Sequence, residues 1–107
     1  MKESAIQSKI LKALREHGGW WVKYHPGPRY GQPGVPDIIG CYYGRFVGLE
    51  VKRPGQKPTK LQEVTHEEIR KQGKGIVAVV HSVDEALMIV YAIQRRIKHV
   101  KAGQSRS

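Results

Sequence analysis

Two apolar runs, Ile38 to Tyr42 and Phe46 to Val51, flank the dipeptide Tyr43-Gly44 and constrain the chain more than any other segment. Each run is short, β-branched and aromatic, so the pair predicts two strands joined by a tight reversal. With that reversal centred on Tyr43-Gly44, Tyr42 faces Arg45, and the same register carried outward sets Asp37 opposite Glu50. Tight two-residue turns favour Asn-Gly or Asp-Gly. A four-residue loop from Tyr42 to Arg45 is an alternative that preserves the pairing, whereas a three-residue loop would destroy it. Opposed residues share a face with Cβ atoms about 4.5–5.5 Å apart, and Lys52, two residues beyond Glu50, returns to that face. Two carboxylates about 5 Å apart repel by roughly 3 kcal/mol at an effective dielectric near 20, so Lys52 or a cation must offset them. A hard divalent cation would turn the repulsion into ligation.

Around this hairpin the sequence predicts a helix from Lys2 to His17, where Ile6, Ile10, Ala13 and Leu14 recur at helical spacing before the stop Gly18-Gly19. Trp20 to His25 reads as a strand. Pro26 to Pro36 holds four prolines and three glycines in eleven residues, which demands an irregular loop. After the basic turn Arg53 to Pro58, Thr59 and Gln62 form a capping box opening a second helix that runs to about Gln72. Ile76 to Val80 is a continuous apolar run, the pattern of a strand covered on both faces. A last helix follows Ser82, with Ala86, Ile89, Val90, Ile93 and Ile97 on its apolar arc. The order αβββαβα fits an α/β fold in which a mixed sheet is flanked by helices on both faces. Residues 1–98 are expected to form one domain and residues 99–107 a basic, frayed tail.

The chain has 107 residues, suited to one core without structural staples. Lys and Arg number 19 against 9 acidic residues, a net +10 that favours a polyanionic partner such as DNA or RNA. Cys41 is the single cysteine, which excludes an intramolecular disulfide and a multi-cysteine zinc site. Its strand context predicts a buried small hydrophobe. No signal peptide precedes the first amphipathic segment, and no apolar run approaches the ~18 residues needed to cross a bilayer. An intracellular protein with no membrane partner is expected.

Pro36-Asp37 followed by Glu50-Val51-Lys52 resembles the PD-(D/E)xK nuclease motif, and the element order resembles the restriction-endonuclease-like core of that superfamily. The short basic chain, Glu3 on the first helix and Gln62 on the helix after the motif are most similar to a stand-alone viral-type VRR-NUC domain. The likeness runs from about Glu3 to Val80. It implies Asp37, Glu50 and the Val51 carbonyl as metal ligands, Lys52 as the residue that orients or activates the attacking water, and Glu3 and Gln62 as further catalytic residues. Oxygen ligation of this kind suits Mg²⁺ or Mn²⁺. The activity implied is metal-dependent DNA endonuclease chemistry, structure-specific on Holliday-junction or branched DNA, performed by a homodimer, with a phage origin in keeping and no small-molecule cofactor.

Several readings stay open on the residues alone. A nickase, flap or restriction-like nuclease shares every feature above, and a non-enzymatic nucleic-acid-binding module shares the charge. Lys23, Arg29, Tyr30, Arg53, Lys57 and Lys60 flank the motif and are candidates for DNA contact. Gln62 can serve either the capping box or the site. His66, one turn beyond Gln62 on the same helix face, is near enough to meet phosphate or metal-bound water, with a solvated helix histidine the favoured reading.

Overall fold

The computed structural model describes residues 1–25 and 31–105, with side chains through Lys98. Its elements are α1 (Glu3–His17), β1 (Trp20–Lys23), β2 (Ile38–Tyr42), β3 (Arg45–Val51), α2 (Lys60–Lys71), β4 (Ile76–Val80) and α3 (Val83–Ser105). The expected order is therefore present, and α3 continues past Lys98 to Ser105. The sheet order is β1-β2-β3-β4, antiparallel except for the parallel pair β3 and β4. Parallel neighbours need a long crossover, and α2 supplies it.

Strand periodicity splits the sheet into two unlike faces. Trp21, Ile38, Tyr42, Val47, Leu49, Val51 and Val80 point to one side, where they meet Ile6, Ile10 and Leu14 of α1 and Ala86, Val90 and Ile93 of α3. That layer is the hydrophobic core. Ile39, Gly48, Glu50, Lys52 and Val77 belong to the other face, across which α2 lies. Burial of each large core side chain contributes about 1.5–3 kcal/mol, so the site-bearing strand β3 is anchored from behind by Val47, Leu49 and Val51.

The hairpin is the two-residue form. Tyr42 pairs with Arg45, and Tyr43 and Gly44 both have positive φ, 51° and 76°, as a primed turn requires. Tyr43 adopts this disfavoured backbone while packing edge-on against Tyr42 at 4.8 Å between ring centroids.

Cys41 is exposed, contrary to the buried position expected for it. The strand does alternate, but Cys41 falls on the face that α2 covers only in part. Its cross-strand neighbours Trp20 and Phe46 share that exposure, at 62% and 40%.

Candidate active site

Three local devices bring Asp37 to the end of β2. The Tyr24 amide donates to the Asp37 carbonyl at 2.8 Å. Pro36 lies flat on Gly48, where an added Cβ would meet the proline ring at 2.8 Å. Gly34, with φ +82°, itself presses against Leu61 and Thr65 of α2, and Thr65 Oγ1 donates to the Pro33 carbonyl at 3.3 Å. Gly34 and Pro36 thus have a positional purpose: they seat the chain between α2 and the sheet.

One step beyond the pair Ile38 and Leu49, the register sets Asp37 opposite Glu50. Asp37 Oδ2 accepts a hydrogen bond from the Val51 amide at 2.8 Å. An extended residue directs its N–H and C=O to the same edge, so the Val51 carbonyl also faces the Asp37 side. The ladder position opposite Val51 is Pro36, which has no N–H to donate. The proline therefore withholds the usual donor from the Val51 carbonyl. The Lys52 amide points the other way, donating to the Val80 carbonyl of β4 at 3.0 Å.

Glu50 is 1% exposed, and burial is the main cause that pushes its pKa up from 4.5 to about 9. A hydrogen bond and negative charge from Asp37 add to the rise, Glu3 adds a smaller amount, and Lys52 opposes it. Asp37, Lys52 and Glu3 are thus close enough to Glu50 to act on its carboxyl group. At neutral pH, without a cation, Glu50 holds a proton.

Glu3 opens α1 and turns toward the end of β3. Its Oε2 accepts from the Arg53 amide at 3.4 Å and lies 3.9 Å from Arg53 Nε. Gln62 is committed differently: its Oε1 accepts from the Thr59 amide at 2.9 Å, while Thr59 Oγ1 accepts from the Gln62 amide at 3.2 Å, a complete capping box. Lys57 and Lys60 are exposed beside the start of α2. Lys23 Nζ donates to Ser8 Oγ at 2.8 Å. Arg29 and Tyr30 lie outside the described residues.

His66 departs from expectation. It is 2% exposed rather than solvated, and its Nε2 lies 3.3 Å from Glu50 Oε1. Burial, followed by the positive charge of Arg70, lowers its pKa and favours the neutral ring. The signal was present in the sequence as the row Gln62, His66 and Ile69 on one helix side, but which side meets the sheet is a tertiary fact.

Among the described residues, no group of three or more His, Cys, Asp or Glu side chains forms a ready-made metal cage. The set that does converge comprises two carboxylates and a backbone carbonyl, all oxygen donors. It fits a hard cation that keeps part of its water shell. The proton held by Glu50 marks the charge that such a cation would neutralise.

Half-buried Asp37 directly before β2 and buried Glu50 on β3, with a lysine two residues beyond, make the arrangement of the PD-(D/E)xK class in this αβββαβα sheet. No protein-family model matches the chain. It is 30% identical over 81 residues to "Putative nuclease p44" of Acyrthosiphon pisum secondary endosymbiont phage 1, covering 74% of this chain and 83% of that protein. A solved VRR_NUC domain superposes with a TM-score of 0.67 at 27% identity, covering 83% of this chain and 94% of the other. A second VRR_NUC domain protein, at 17% identity, shares the fold with a TM-score of 0.68 over 92% and 89% of the two chains. The chain belongs to the VRR-NUC family.

Proposed function

We propose that this protein is a Mg²⁺- or Mn²⁺-dependent endonuclease that hydrolyses DNA phosphodiester bonds, acting on branched DNA such as Holliday junctions as a homodimer. The observation that carries the reading is the pairing of half-buried Asp37 with buried Glu50, brought into register at the end of β3 beside Lys52. The phage relative's name and the VRR-NUC membership support nuclease activity. A basic module that merely bound nucleic acid would gain nothing from a buried carboxylate with a pKa near 9.

Asp37, Glu50 and the Val51 carbonyl would hold the cation. When bound, it would polarise a phosphoryl oxygen and make coordinated water more acidic. Lys52 would orient the attacking water and offset charge that develops on the phosphate. Glu3, at the mouth of the site, would bind the surrounding water while fixing Arg53. Gln62, with its oxygen engaged by the cap, would use its free amide group toward Lys52 or the phosphate. Lys23, Arg53, Lys57 and Lys60, with Arg29 and Tyr30, would track the DNA backbone. The exposed row Trp20, Cys41 and Phe46 would be the place for the second copy. No helix among the described residues is long and apolar enough to cross a membrane, in keeping with an intracellular enzyme.

The test is to incubate purified protein with labelled four-way junction, flap, splayed and linear duplex DNA in Mg²⁺, Mn²⁺ or chelator. Junction cleavage that requires a cation is expected. Failure to cut any substrate under any metal would refute the enzyme reading. Light scattering should report a particle of twice 12.1 kDa; a monomer at working concentration would refute the dimer.

A further inference from the structure

Helix α2 buries one residue, and it is a histidine. A helix packed on a sheet ordinarily buries an apolar stripe, yet Leu61 and Val64 are more than half exposed while His66 occupies the buried position. Glu50 and His66 are the buried polar or charged residues among those described, and they contact each other at 3.3 Å. Burying either one without a partner costs roughly 1–3 kcal/mol or more. A leucine at position 66 would fill the space at no such cost. The histidine therefore makes physical sense through what it does to Glu50.

We propose that His66 is a positioning residue for the metal-binding carboxylate. Nε2–H donates to Glu50 Oε1 and fixes the rotation of the carboxylate, leaving its second oxygen available on the Asp37 side. An ionised, ligating carboxylate only accepts hydrogen bonds, so the histidine must be the donor once a cation is bound. The contact crosses from α2 to β3 and ties the helix that closes the site to the strand that carries it. Hydrogen-bonded neighbours of metal ligands typically contribute 10–100-fold to metal affinity or activity when their role is to orient the ligand. This inference rests on the proposed metal site.

The test compares wild type with His66→Phe, His66→Met and His66→Gln in the full chain. Three properties are read: Mn²⁺ affinity from the paramagnetic resonance of free Mn²⁺, kcat and KM on cleavable DNA, and thermal melting without metal. The two apolar variants should bind Mn²⁺ about 10–100-fold more weakly and lose kcat to a similar degree with KM for DNA unchanged. His66→Gln, whose side-chain amide can reach Glu50 from the same helix position, should recover affinity to within a few-fold. Wild-type Mn²⁺ affinity in a folded apolar variant would overturn the role, as would a folded His66→Gln no better than His66→Met. If neither apolar variant melts cooperatively, His66→Gln decides alone: near-wild-type affinity supports the role, and a 10-fold or greater loss overturns it. A wild-type protein that binds no Mn²⁺ would overturn the metal site, and this inference with it.

Discussion

Replacing Glu50 with glutamine should remove a pH dependence from the stability of the metal-free protein. In the folded chain Glu50 titrates near 9 rather than 4.5. Between those values the folded state holds one proton more than the unfolded state. Stability from this group is fully present below pH 4.5, declines as pH rises, and is lost above about 9. The slope is about 1.4 kcal/mol per pH unit. His66, with its lowered pKa, acts in the opposite sense only below its ordinary 6.5, so the clean window begins there. From about pH 6.5 to 8.5 the wild type should lose about 3 kcal/mol relative to Glu50→Gln, whose amide stays neutral throughout. Urea unfolding in chelator, followed by the fluorescence of buried Trp21, reads the difference directly. Parallel pH profiles for the two proteins would refute the buried, proton-holding carboxylate. Adding Mn²⁺ should stabilise the wild type at the upper end of the window and leave Glu50→Gln unchanged.

Gly48→Ala should cost about 1–3 kcal/mol by overpacking and reduce cleavage by on the order of 100-fold, because the new methyl displaces Pro36 and with it Asp37; melting and kcat together check this. Thr59→Ala should remove about 1 kcal/mol from stability with cleavage per folded molecule intact, whereas Gln62→Glu keeps the cap oxygen, loses the amide donor, and should lower kcat without lowering the melting temperature. Lys57→Ala and Lys60→Ala should each reduce the slope of log affinity against log salt by about 1 in DNA binding.

Much of the fold was legible because the local signals agree with the tertiary ones. The hairpin register followed from a single reversal at Tyr43-Gly44, and once it was set, the opposition of Asp37 and Glu50 was a matter of strand alternation. Thr59 and Gln62 announced the start of α2 through capping chemistry alone. What the sequence withheld depends on which face a neighbour covers. Cys41 sits in an apolar strand, but α2 stops short of it. His66 has the neighbours of a surface residue, and only the docking of α2 over β3 buries it. The Val51 carbonyl gains its character from a proline fifteen positions earlier in the chain, through a register that must first be established.

The most direct measurement is cleavage of labelled branched DNA by chelator-stripped protein as Mn²⁺ is titrated back, with Asp37→Asn and Lys52→Ala run beside the wild type. Activity should appear with the cation in the wild type alone, while both variants still bind DNA. Cutting that persists in chelator, or full activity in either variant, would contradict a metal-assisted site built from Asp37, Glu50 and Lys52.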